Sequence, residues 1–128
     1  MLHLQLAMRP PSRSFKTAWF AKAAKKARIG DAELCTAIRE VLRGQAEDLG
    51  GGVFKKRLND NMHRSLILAK GGHLWVYAYL FAKKDRANIT QVELVEFRKL
   101  ADAYARMAMP ELENALRDGA LLEICHDD

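Results

Sequence analysis

Residues 74–81 read LWVYAYLF, eight positions with no charged group and only tyrosine hydroxyls for polarity. A strand half exposed to water alternates apolar with polar residues, so a run this uniform predicts a central strand covered on both faces. The rest of the chain must supply that cover. Ser14 to Thr17 fits a short opening strand, and Ala18 to Arg28 (AWFAKAAKKAR) is a helix by propensity, ended at Gly30. Asp31 is placed to cap a second helix, whose apolar positions Leu34, Ile38, Val41 and Leu42 recur at helical spacing up to Gly44.

Three glycines, 50–52, then break the pattern, and strands are expected over Val53 to Leu58, Arg64 to Ala69 and Leu74 to Phe81. Gly71 and Gly72 suit a two-residue hairpin loop, because both accept positive φ without a Cβ clash. Thr90 and Glu93 form a capping box ahead of the stripe Leu94, Phe97, Ala101, Tyr104 and Ala108, which marks a long helix lying on the sheet. Pro110 opens a short helix through Arg117, Gly119 stops it, and Ala120 to Cys125 fits a last strand. The fold class is therefore α+β: a small antiparallel, mixed-edge sheet with an N-terminal helical hairpin and C-terminal helices.

The chain has 128 residues, sized for one domain over 15–128 whose core needs no disulfide or metal, preceded by a loose extension over 1–14. The extension, MLHLQLAMRPPSRS, has no long apolar run, and Arg9 and Arg13 follow its apolar part, unlike a secretory signal. No later run is free of charge for long enough to span a bilayer, so a soluble cytoplasmic protein with no membrane contact is expected. Cys35 and Cys125 stand far apart with no metal-ligand spacing, and free thiols are expected, Cys35 as a small core residue. No metal and no cofactor is expected.

The net charge of +5 is uneven: residues 1–92 carry 17 Lys and Arg against 7 Asp and Glu, while 93–128 carry 4 against 9. Eight of the cations fall between Gly51 and Asn88, mostly on or beside the expected strands, where their spacing is fixed. That pattern suits a polyanion, with RNA the leading candidate, and an acidic C-terminal segment that need not touch it. With a two-residue loop, Leu68 opposes Trp75, Leu66 opposes Tyr77 and Arg64 opposes Tyr79. One face of the strand then carries Trp75, Tyr77, Tyr79, Phe81 and Lys83, the other Leu74, Val76, Ala78 and Leu80. Tyr79 beside Arg64 is the better candidate for stacking a base, and Trp75 and Tyr77 are better read as core.

The order of an opening FKT strand, two helices, GGVFKKRL (51–58), an arginine-bearing strand, WVYAYLFAKKDRANI (75–89) and a C-terminal helix resembles the RelE/HigB-type toxins of bacterial toxin–antitoxin pairs. FAKKDRANI is the sharpest match, and GALLEI near the end fits one branch. The resemblance covers roughly residues 15–124. It implies a RelE-like fold and an endoribonuclease that cuts mRNA, typically on the ribosome, without a metal, silenced by a small cognate antitoxin of helix-turn-helix or disordered acidic type. It carries the family's basic strand positions to Lys55, Lys56 and Arg57, its strand arginine to Arg64 and its post-strand lysine to Lys83, with Asp85 and Arg86 completing that motif. One stretch departs: relatives place a Gly/Lys-rich loop and a Gly-Gly-aromatic-Arg turn where this chain has the shorter, less basic Asn59-Asp60-Asn61-Met62-His63-Arg64.

Metal-free RNA cleavage requires a base for the 2′-OH, charge on the phosphate, and an acid for the leaving 5′-oxygen. Arg64 is the candidate for the scissile phosphate, with Lys55, Arg57 and Lys83 neutralising charge around it. His63 has a pKa suited to proton transfer, although alternation points it away from Arg64; Lys55 or Asp85 are alternative bases. Lys56, Arg57, Tyr79, Lys84 and Arg86 are expected to bind RNA. Two other readings use the same residues: a non-catalytic nucleic-acid-binding module, or a ParE-type toxin of this fold directed at gyrase.

Overall fold

A computed structural model describes residues 12–126. In chain order the elements are β1 (Arg13–Thr17), α1 (Ala18–Lys26), α2 (Asp31–Leu42), β2 (Glu47–Asp48), β3 (Val53–Leu58), β4 (His63–Leu68), β5 (Leu74–Ala82), α3 (Gln91–Ala105), α4 (Met109–Asp118) and β6 (Leu121–Ile124). The strands form one sheet in the order β2-β3-β4-β5-β1-β6. β1 runs parallel to β5 and every other neighbouring pair is antiparallel. The α+β class holds, but the helical hairpin is not N-terminal. β1 comes first and inserts beside β5, so the parallel pair lies inside the sheet rather than at its edge. Of the expected extension, residues 1–11 lie outside the described residues, and β1 begins at Arg13.

The LWVYAYLF strand is central and covered on both faces, as its composition requires. On one face Trp75, Tyr77, Leu80 and Ile67 pack against Phe20, Ala24, Leu34, Ile38 and Val41 of α1 and α2. On the other, Phe15, Val53, Leu66, Leu68, Val76 and Ala78 pack against Leu94 and Ala101 of α3 and Leu112 of α4. Burying each large side chain here is worth about 1.5–3 kcal/mol. The Tyr77 hydroxyl, inside the first cluster, donates to the carbonyl of Leu34 at 2.7 Å, and burial first, then Glu33 and Glu40, push its pKa far above the ordinary value.

Two local expectations are corrected. The β4–β5 loop is longer than Gly71-Gly72: the paired residues nearest it are Leu68 and Val76, so Trp75 does not oppose Leu68. A bulge then shifts the register, with Ile67 opposite Tyr77 but Leu66 opposite Tyr79. An extra residue in one strand reverses its alternation. Trp75 and Tyr77 therefore face α1 and α2, while Tyr79 joins the α3 side and Leu80 crosses to the first face. At α2 the N-cap is Gly30, with no side-chain hydrogen bond, and Asp31 sits in the first turn, pairing with Lys16 at 2.7 Å.

The free thiols are also corrected: Cys35 and Cys125 form a disulfide, their Cα atoms 5.5 Å apart. The pairing follows from the sheet. β6 lies beside β1, and the residue after it, Cys125, meets α2 at the rim of the first cluster, where Cys35 is half-buried rather than part of the deep core. The three glycines do more than break a helix. Arg98 of α3 crosses them, donating to the carbonyls of Leu49 and Gly50, and a Cβ on Gly51 would stand 2.7 Å from its Cγ. Gly51 also has φ +65, which a side chain would resist.

Candidate nucleic-acid interface

Alternation along β3 divides its cations. Lys56 turns to the α2 side, where its ammonium lies 3.1 Å from Glu40 and donates to the carbonyl of Gln45. Lys55 turns the other way, 3.2 Å from Glu47 and 3.4 Å from Asn88. Arg57 follows Lys55 onto that face and stands directly opposite Arg64 of β4 in the register. Like charges opposed across a ladder destabilise by up to about 1 kcal/mol. Arg64 also opposes Phe81 of β5, which puts Tyr79 and Phe81 on the same face.

Most other strand cations have been neutralised. Arg13, Lys16, Lys55 and Lys56 each lie within ion-pair distance of a carboxylate. Arg57 and Arg64 do not, among the described residues. Arg64 donates from Nη1 to the carbonyls of Asn61, at 2.9 Å, and His63, at 3.2 Å, so the Nε/Nη2 edge of the fork keeps its two donors for another partner. The carbonyls are offered by a turn in which Asn59, Asp60 and Asn61 all have positive φ, a conformation that Asn and Asp tolerate best among residues with a Cβ.

β1 pairs with β5 only as far as Tyr77, then turns into α1. Beyond that point an open groove of about 1690 Å³ separates α1 from the far ends of β4 and β5. Lys22, Lys25 and Lys26 form one wall; His63, Lys83, Lys84, Asp85 and Arg86 contribute to the other, with Asn61 and Met62 of the turn. Six cations thus face two carboxylates, Asp60 and Asp85. Asn59 Nδ2 lies 3.2 Å from His63 Nδ1. An amide nitrogen only donates, so with the amide in this orientation His63 accepts at Nδ1 and neutral imidazole carries its proton on Nε2.

Arg86 is a brace. Its guanidinium grips Glu93 with two hydrogen bonds, 3.1 and 2.5 Å, and donates to the Tyr79 hydroxyl at 3.2 Å. The Arg86 bond, then the capping-box bonds at Thr90, hold the Glu93 carboxyl down to about 2. Tyr79, so fixed, stacks on Trp19 of α1 with ring centroids 5.1 Å apart.

The residues singled out in the sequence thus divide between two adjoining surfaces. His63, Tyr79, Lys83, Lys84, Asp85 and Arg86 line the groove. Lys55, Arg57 and Arg64 lie on the α3 side of the sheet end and do not line it, and Lys56 is tied to α2. The surfaces meet where the Lys83 amide donates to the carbonyl of Met62 at 2.9 Å, two residues before Arg64. Trp19 was not singled out; its spacing to Lys22 and Lys26, three and seven residues on, was the available signal. Among the described residues no group of His, Cys, Asp and Glu could hold a metal ion, and no helix is long and apolar enough to cross a membrane.

A family model described as the RelE toxin of the RelE / RelB toxin-antitoxin system matches residues 12–124. No curated protein and no solved structure matches the chain.

Proposed function

The chain belongs to the RelE toxin family, the toxin half of a toxin–antitoxin pair, and from that premise we propose that it is an endoribonuclease that cuts mRNA on the ribosome and thereby arrests translation. The observation that carries this reading is the opposed pair Arg57 and Arg64, without a carboxylate partner among the described residues, next to a groove whose walls are largely cationic. Such a pair is stabilised when an anion lies between or beside its members. Arg64 anchors the scissile phosphate through its Nε/Nη2 edge, Lys83 approaches from the groove, and Arg57 neutralises the neighbouring linkage, joined by Lys55 when RNA displaces it from Glu47.

The 2′-hydroxyl attacks the adjacent phosphorus; the P–O5′ bond breaks, leaving a 2′,3′-cyclic phosphate and a 5′-hydroxyl. Asp85, an acceptor at the groove, takes the 2′-OH proton. His63 serves as imidazolium, with the Asn59 amide turned so that its oxygen accepts from Nδ1–H, and gives its Nε2 proton to the leaving oxygen, returning to neutral imidazole. Lys84 contributes charge along the path of the strand, while Lys56, paired with Glu40, and Arg86, paired with Glu93, act by holding the walls in place. Translation is a cytoplasmic process, so the target places the protein there, where its disulfide meets reductant.

Induced expression of the wild type should arrest growth and leave mRNA fragments with 2′,3′-cyclic phosphate ends. His63→Ala should slow cleavage and remove the limb of the pH–rate profile that the imidazole supplies. An unchanged profile would assign His63 to holding the turn. Arrest without any cleavage would favour a target such as gyrase or a purely binding role.

A further inference from the structure

Trp19 is 52% exposed on a helix whose next residue, Phe20, is fully buried. The helix anchors itself through Phe20 and Ala24, so nothing in the packing of α1 requires an indole on its other side. Among the described residues its one ring contact is Tyr79, 5.1 Å away with the planes inclined by 24°. Tyr79 is in turn held by Arg86, and Arg86 by Glu93. An exposed aromatic surface braced at one face and bordered by cations is what an unpaired base requires: a flat apolar partner already immobilised, with charge nearby for the adjoining phosphates. Lys22, Lys25 and Lys26 line the same groove as Trp19, and Lys22 and Lys26 follow it by three and seven residues, along one side of the helix.

We propose that Trp19 is a stacking platform for one unpaired base of the RNA strand in the groove, with Lys22, Lys25 and Lys26 holding the phosphates that flank it. The inference rests on the RNA reading above and adds to it a binding residue outside the resemblance-derived set. It requires a single strand, because a base in a duplex has no free face to offer.

The test uses the whole chain and a ten-nucleotide single-stranded RNA with 2′-O-methyl groups, which binds without being cut. Trp75 is 8% exposed, so the protein's fluorescence response to ligand reports chiefly on Trp19. The RNA should quench it. Trp19→Ala should weaken binding by roughly 5- to 150-fold, the range for losing one stacked base, and Trp19→Phe should restore most of the affinity. Replacing the RNA by an oligomer of abasic ribose phosphates should reproduce the Trp19→Ala loss on the wild type. Equal affinity of wild type and Trp19→Ala, or no penalty for the abasic oligomer, overturns the stacking role while leaving the RNA reading intact. No binding of either oligomer by the wild type overturns both. Quenching by an acidic peptide but not by RNA assigns the surface to a protein partner instead.

Discussion

The two ends of β5 are built of the same kinds of residue and used for opposite purposes. At its start, Trp75, Val76 and Tyr77 have β1 on one side, β4 on the other and helices above and below. At its end, from Tyr79 onward, β1 has left, the bulge has reversed the alternation, and the aromatic rings, still packed toward α3, also meet Trp19, Arg86 and the groove. One strand thus serves as a support and as a presenting edge, and what separates the two roles is the point at which its parallel neighbour ends.

If that division is right, substitutions at the two ends must fail in different ways. Tyr77→Ala removes a fully buried ring and its bond to Leu34, and should cost about 3–5 kcal/mol in a denaturant titration, while whatever fraction stays folded keeps its cleavage rate. At the other end, Arg64→Ala and Lys83→Ala should each lower RNA cleavage by on the order of 10²–10³-fold, with the melting temperature of Lys83→Ala nearly unchanged and that of Arg64→Ala raised by the relief of its repulsion with Arg57. Wild-type cleavage in both would detach the open end from the chemistry. Cys35→Ser, which unties α2 from the residue after β6, should cost about 2–4 kcal/mol, seen as a midpoint shift that reductant reproduces on the wild type and not on the variant.

The smallest effect is in pH. The Glu93 carboxyl, held by Arg86 and Thr90, titrates at about 2 instead of its ordinary 4.5. A group lowered on folding contributes stability that is complete above its unfolded value and is lost as pH falls through the folded one. The melting temperature should therefore decline between pH 4.5 and 2, and Glu93→Gln should flatten that part of the decline. The same variant should loosen Tyr79 and Trp19, detectable as a change in Trp19 fluorescence at neutral pH.

Much of the architecture could be read from local signals because those signals act locally. The capping box of Thr90 and Glu93, the Gly119 stop at φ +78 and the uniform run of β5 each decide their own conformation. What escaped was decided elsewhere in the chain. β2 is only Glu47–Asp48, a polar pair made a strand by Lys55 and Phe54 opposite it. The bulge near Ala78 is invisible in LWVYAYLF, yet it sends Tyr79 to a different face from Tyr77. The disulfide needed two elements 90 residues apart to meet. For the site, the cationic strands and the FAKKDRANI match pointed to the end of the sheet where the groove opens, but residue types alone did not tell Lys56, paired with Glu40, from Arg57, which has no carboxylate partner among the described residues. Trp19 read as one more apolar position in an alanine-rich helix.

The opposed guanidinium groups of β3 and β4 have a thermodynamic corollary. A molecule whose empty form holds two opposed guanidinium groups gains heat resistance from anything negative that settles on them, by an amount that grows with the logarithm of that ligand's concentration once it exceeds the dissociation constant. RNA and antitoxin alike would then act as folding ligands wherever they cover that pair. A simple melting series against polyphosphate, at rising salt, would trace how much of the protein's durability is lent to it by its company.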